Sequence, residues 1–117
     1  MKSDIDLLHE LGSLHDAGVD EVVWRKADRS LRFVIADMFA GLMEVPPEYP
    51  ESRSGSVTFT GVARIEGVSG PFEGLFRISG IDVAERGEGY VVDLGLGAPG
   101  AGLQVHCKDL RVVIDSV

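Results

Sequence analysis

The spacing of apolar positions changes once near the start of the chain. Ile5, Leu7, Leu8, Leu11 and Leu14 recur at helical intervals behind Ser3 and Asp6, which are placed like a capping box, until Gly12 and Gly18 interrupt them. One short N-terminal helix is predicted, broken near Gly12. From Val19 onward the period falls to two. Val22 and Trp24 alternate with Val23 and Arg25, Ala27-Asp28-Arg29-Ser30 makes a turn, and Leu31, Phe33 and Ile35 alternate with Arg32 and Val34. That pattern predicts a hairpin. Residues 38 to 56 hold three of the five prolines and show no sustained period, so they read as a long connector.

Beyond the connector, VTFTGVARIEG reads as one strand whose apolar face slips by a residue at Gly61, as a bulge would make it do. FEGLFRI, GIDVAE, YVVDLGL and LQVHCKDLRVVI follow as strands, separated by ERGEG and GAPGAG. Two parts of the chain echo each other. Val22, Trp24, Leu31, Phe33 and Ile35 are spaced like Ile81, Val83, Tyr90, Val92 and Leu94, and Val57, Phe59 and Val62 are spaced like Val105, Cys107 and Leu110. The expected fold is α+β: a mostly antiparallel β sandwich or curled sheet of six to seven strands, with one short N-terminal helix and an internal three-strand duplication. Residues 1–117 make a single domain, since this length supports one core and not two. Strands do not alternate with helices, which argues against a parallel nucleotide-binding sheet.

The charge balance narrows the partners. With 19 acidic residues against 11 basic ones the formal net charge is -8, and no basic run occurs, so no nucleic-acid partner is expected and a basic protein partner is. No apolar run approaches the roughly 20 residues that cross a bilayer, so no membrane partner is expected. Cys107 is the only cysteine, which excludes an internal disulfide and a thiolate zinc cluster and suits a reducing cytoplasm. The opening MKSDIDLLHELG is acidic where an export signal would be basic.

No enzyme signature emerges. GLGAPG, Gly95 to Gly100, matches G-x-G-x-x-G, but Pro99 and the strand that follows leave no helix to receive a pyrophosphate, so it reads as a hairpin loop. His9 and His15, six residues apart, sit about 240° apart on one helix and share a metal only if the helix breaks. His106 and Cys107 are strand neighbours and point to opposite faces, with Cys107 in the apolar phase and His106 outward. The G-x-S-x-G elbow and acidic calcium loops are absent, and no catalytic, metal or cofactor residues are assigned. His15 and Asp16 sit where helix gives way to strand, and their reading is the closing of that helix end. The alternative is a pocket mouth shared by His15, Asp16, Trp24 and Tyr90. The connector supplies the candidate partner-binding residues: Phe39, Leu42 and Met43 with Glu44, Glu48 and Tyr49, a mix of adaptable apolar and acidic groups.

The segment LHDAGVDEVVWRKADRSLRFVI, after a short helix, resembles the opening of several families of small uncharacterised bacterial domains. Some of these are similar to immunity proteins of bacterial toxin systems, which share a His-Asp-Ala lead-in to a hydrophobic hairpin and a later x-F-x-G-V strand, here TFTGV. The resemblance covers about half the chain and carries no catalytic residue across. It implies a single-domain cytoplasmic binding protein whose acidic surface blocks a basic toxin. The expected function is therefore non-enzymatic protein binding, immunity-like as the resemblance implies, with a small-ligand-binding or enzymatic β-barrel-like domain and a homo-oligomeric structural subunit as the other readings.

Overall fold

The computed structural model describes residues 4–15, 17–39, 42, 53–67, 76–78, 80–95 and 102–115. Helix α1 spans Asp4–Glu10, with Asp4 and Asp6 in the first turn, where negative charge favours the helix dipole. It buries Leu8, and the chain then places Leu11 and Leu14 in the same core. Gly12, at φ +65, takes the left-handed conformation that stops the helix, and a single 3-10 turn, Gly12–Leu14, follows. The helix lies against the last strand. There the Asp4 carboxylate accepts the Val112 backbone N–H at 2.8 Å, so a group that the open edge of that strand would otherwise leave to solvent is satisfied.

Among the described residues nine strands follow: β1 (Gly18–Arg25), β2 (Ser30–Ile35), β3 (Gly55–Thr60), β4 (Arg64–Gly67), β5 (Phe76–Arg77), β6 (Gly80–Arg86), β7 (Gly89–Gly95), β8 (Gly102–Cys107) and β9 (Asp109–Ile114). They form a five-stranded sheet in the order β5-β1-β2-β3-β9 and a four-stranded sheet in the order β4-β8-β7-β6, with every described pairing antiparallel. Alternation divides each strand between two faces. Leu31, Phe33, Ile35, Val57, Phe59, Leu110 and Val112 from the first sheet meet Ile81, Val92, Leu94, Leu103, Val105 and Cys107 from the second in one buried cluster. At its centre Phe33 and Phe59 pack edge to face, with ring centroids 6.0 Å apart and an interplanar angle of 84°.

The sheets are not independent layers. β3 passes into β4 through Gly61, Val62 and Ala63, and β8 passes into β9 through Lys108, so each of these long segments leaves one sheet and enters the other. They stay paired around the corner. Lys108 donates its backbone N–H to Thr60 at 3.0 Å and Ala63 donates to His106 at 2.8 Å. Thr60 faces Asp109 and Arg64 faces His106, so three residues oppose two, which is the geometry of a bulge. Gly61 supplies the φ of +60 that this corner needs, and a Cβ there would lie 2.8 Å from Lys108 Cβ.

A mostly antiparallel β architecture with one short helix is what the sequence predicts. The strand number is a correction: nine among the described residues, not six to seven, because VTFTGVARIEG and LQVHCKDLRVVI each break into two strands at the sheet crossing. A simple sandwich is corrected for the same reason, since two segments belong to both sheets. The first half runs hairpin, third strand, crossing strand (β1 to β4), and so does the second (β6 to β9). The hairpins differ in register. Trp24 faces Leu31 across a turn of Lys26 to Arg29, whereas Val83 faces Val92 across the tighter Gly87-Glu88 turn, so the equal spacing of apolar positions does not give equal pairs.

Candidate functional site

On the outward face of the four-stranded sheet the register aligns one row of polar positions. Asp82 on β6 faces Asp93 on β7, Asp93 faces Gln104 on β8, and Gln104 faces Glu66 on β4. Two aspartates directly opposite one another in an antiparallel pair repel, a cost of a few tenths to about 1 kcal/mol. The next row on the same face has no side chains at all: Gly80 faces Gly95, and Gly95 faces Gly102. The bare backbone of that row and the acidic row beside it form an open groove of about 570 Å³, lined by Glu66, Asp82, Asp93 and Gln104 together with the three glycines.

Hydrogen bonds hold the row in place. Gln104 donates its amide N–H to Asp93 Oδ1 at 3.0 Å, and its Oε1 lies 2.9 Å from His106 Nε2. Glu66 Oε2 is 3.4 Å from the same His106 nitrogen, and Arg64 pairs with the other oxygen of Glu66. Both neighbours of His106 Nε2 are acceptors, so that nitrogen carries the proton and donates. Arg64 and His106 thereby anchor the Glu66 end, while Asp82 and Asp93 at the other end are exposed and have no cation among the described residues. The arrangement presents fixed negative charge beside accessible backbone. It offers no nucleophile with a base beside it, and among the described residues no three His, Cys, Asp or Glu side chains are placed to share a metal ion.

The residues proposed from sequence are distributed differently. Trp24 is 40% exposed and lines a small groove with Arg29, Val62, Ala63, Arg64 and Ile65, which includes neither His15 nor Tyr90. Trp24 belongs to the first sheet and Tyr90, packed against the core, to the second; His15 is exposed after the 3-10 turn, and Asp16 lies outside the described residues. Phe39 is a correction to the partner-binding set. It is 4% exposed, its N–H bonded to Asp37 Oδ1 at 2.9 Å, and its side chain is core rather than surface. Leu42 packs half-buried against the same core, while Met43, Glu44, Glu48 and Tyr49 lie outside the described residues. Gly95 and Gly102 face each other as strand neighbours, so the glycine motif begins in a hairpin connection.

Cys107 is buried, at 6% exposure. Burial pushes its thiol from 9.0 up to about 11, the Asp109 carboxylate adds to the rise, and a hydrogen bond to the Asp109 backbone opposes it. The thiol is therefore protonated at neutral pH, and iodoacetamide at pH 8 should label the native protein far more slowly than the urea-unfolded chain. Equal rates would contradict its burial. Because the folded state holds this proton more tightly, the contribution to stability is complete below pH 9 and declines as the pH rises toward 11.

No protein-family model matches the chain, and no curated protein shows significant sequence similarity to it.

Proposed function

We propose that the protein is a non-enzymatic protein-binding domain that takes a basic polypeptide on the outer face of its four-stranded sheet. The observation that carries this reading is the Asp82–Asp93–Gln104–Glu66 row, in which two like charges are set face to face beside a side-chain-free glycine row. Such a pair lowers the stability of the free protein and is relieved when a cation bridges it. The backbone exposed along the glycines lets a bound segment approach closely. The net charge of -8 adds a long-range attraction for a cationic partner. A basic toxin is the partner class implied by the immunity-like opening of the chain, in a cytoplasmic setting. The matching connectivity of β1–β4 and β6–β9 supports descent of the two halves from one duplicated unit.

The test uses an oligo-arginine peptide as the probe. Asp82→Asn should weaken peptide binding by about tenfold, the equivalent of about 1.4 kcal/mol, while leaving the domain as stable as before or more so by a few tenths of a kcal/mol. Calorimetric titration and urea unfolding of the same sample read both. Unchanged affinity in Asp82→Asn, or binding that ignores added salt, would remove the basis for this reading.

A further inference from the structure

The outer face of the five-stranded sheet carries a second charged row. Val23, Arg32, Thr58 and Arg111 lie side by side across β1, β2, β3 and β9. Arg32 and Arg111 are exposed, and neither has a carboxylate partner among the described residues. A hollow of about 260 Å³, lined in part by Ser30, Arg32 and Thr58, opens on this side. Strand by strand the row corresponds to the acidic one. Counted from β1 and from β6, the first strand carries Val23 or Asp82, the second Arg32 or Asp93, the third Thr58 or Gln104, and the fourth Arg111 or Glu66, so the correspondence in charge begins at the second strand. Neighbouring strands are about 4.8 Å apart, so the paired charges, two strands apart in both rows, have the same spacing of about 10 Å.

The geometry points to a second copy of this chain as an occupant of the acidic face: the arginine row of one protomer packs on the acidic row of the next, Arg32 against Asp93 and Arg111 against Glu66. This rests on the reading of the acidic face as a docking surface and names its partner. The contact joins two different faces, so it is heterologous, and two copies leave one face of each kind open. Assembly therefore continues past the dimer. The net charge of -8 on each copy opposes it. At about 0.1 M salt the Debye length is about 10 Å, which screens repulsion between bodies 25 to 37 Å across and leaves charges in contact largely unscreened.

Sedimentation velocity at about 0.1 M salt tests this. The weight-average mass of the wild type should rise with concentration from 12.6 kDa past twice that value. A variant with Glu66→Arg and Asp93→Arg, and another with Arg32→Asp and Arg111→Asp, should each remain monomeric, and an equal mixture of the two should associate again, because alternating copies then meet through one unaltered contact and one with its charges exchanged. The neutral pair Arg32→Gln and Arg111→Gln gives the same loss if a reversal prevents folding. A wild type that stays monomeric at every concentration, a mixture that does not associate, or association that survives loss of both arginines overturns the inference. A monomeric wild type that still binds oligo-arginine leaves the docking face standing and removes only the second copy as its partner; loss of both removes both.

Discussion

Phe59→Ala should cost about 3–5 kcal/mol, a large part of the roughly 5–15 kcal/mol that holds a domain of this size together. Phe59 has no exposed surface, sits on β3 between Leu31 on β2 and Leu110 on β9, and packs edge to face with Phe33, its diagonal neighbour on β2. The loss has two parts. Truncation removes the transfer free energy of the ring and leaves a cavity where strands on both sides are fixed by their ladders, so collapse is limited. It also removes an aromatic pair worth about 0.5–1.5 kcal/mol beyond its area. Phe59→Leu keeps most of the volume and should cost less than about 1.5 kcal/mol. Urea unfolding of the two variants measures the difference, and equal midpoints would show that the core is not packed around this pair.

Gly55→Ala should be a severely damaging single methyl group, costing about 3 kcal/mol at the upper end of overpacking. Gly55 opens β3, facing Ile35 on β2 and Ile114 on β9. A Cβ there would overlap the Val113 carbonyl oxygen and lie 2.6 Å from Met38 Cγ. Met38 is flexible enough to move, but the carbonyl belongs to a strand held by its own ladder and by the Asp4 contact at Val112. Gly80→Ala is the control, since nothing lies within 4 Å of a Cβ at that position. It should change stability by less than about 0.5 kcal/mol. If thermal unfolding ranks the two variants in the opposite order, the close approach of β3 and β9 is wrong.

The hairpins were legible because their signals are local. Alternation in Val22 to Ile35, interrupted by a polar turn, specifies β1 and β2 without reference to anything distant, and Gly12 marks the helix end through its own backbone freedom. The sheet crossing was only half legible. The slip at Gly61 shows as a bulge in one strand, but whether the strand continues in its sheet or enters another depends on what pairs with Arg64, and that is His106, 42 residues away. The acidic row was invisible for a related reason. Asp82, Asp93 and Glu66 are three among 19 acids, and only the register of four strands brings them into line. Phe39 misled because an aromatic in a proline-rich connector looks the same in sequence whether it covers a partner or its own core.

The account stands on where a cationic chain docks. The most direct measurement is a titration of the isotopically labelled protein with oligo-arginine, followed by the backbone amide resonances in NMR. The account predicts the largest shifts at Asp82, Asp93 and Gln104 and at Gly80, Gly95 and Gly102 along the groove. Shifts centred instead on Trp24 and Ile65, or none at saturating peptide, would contradict it.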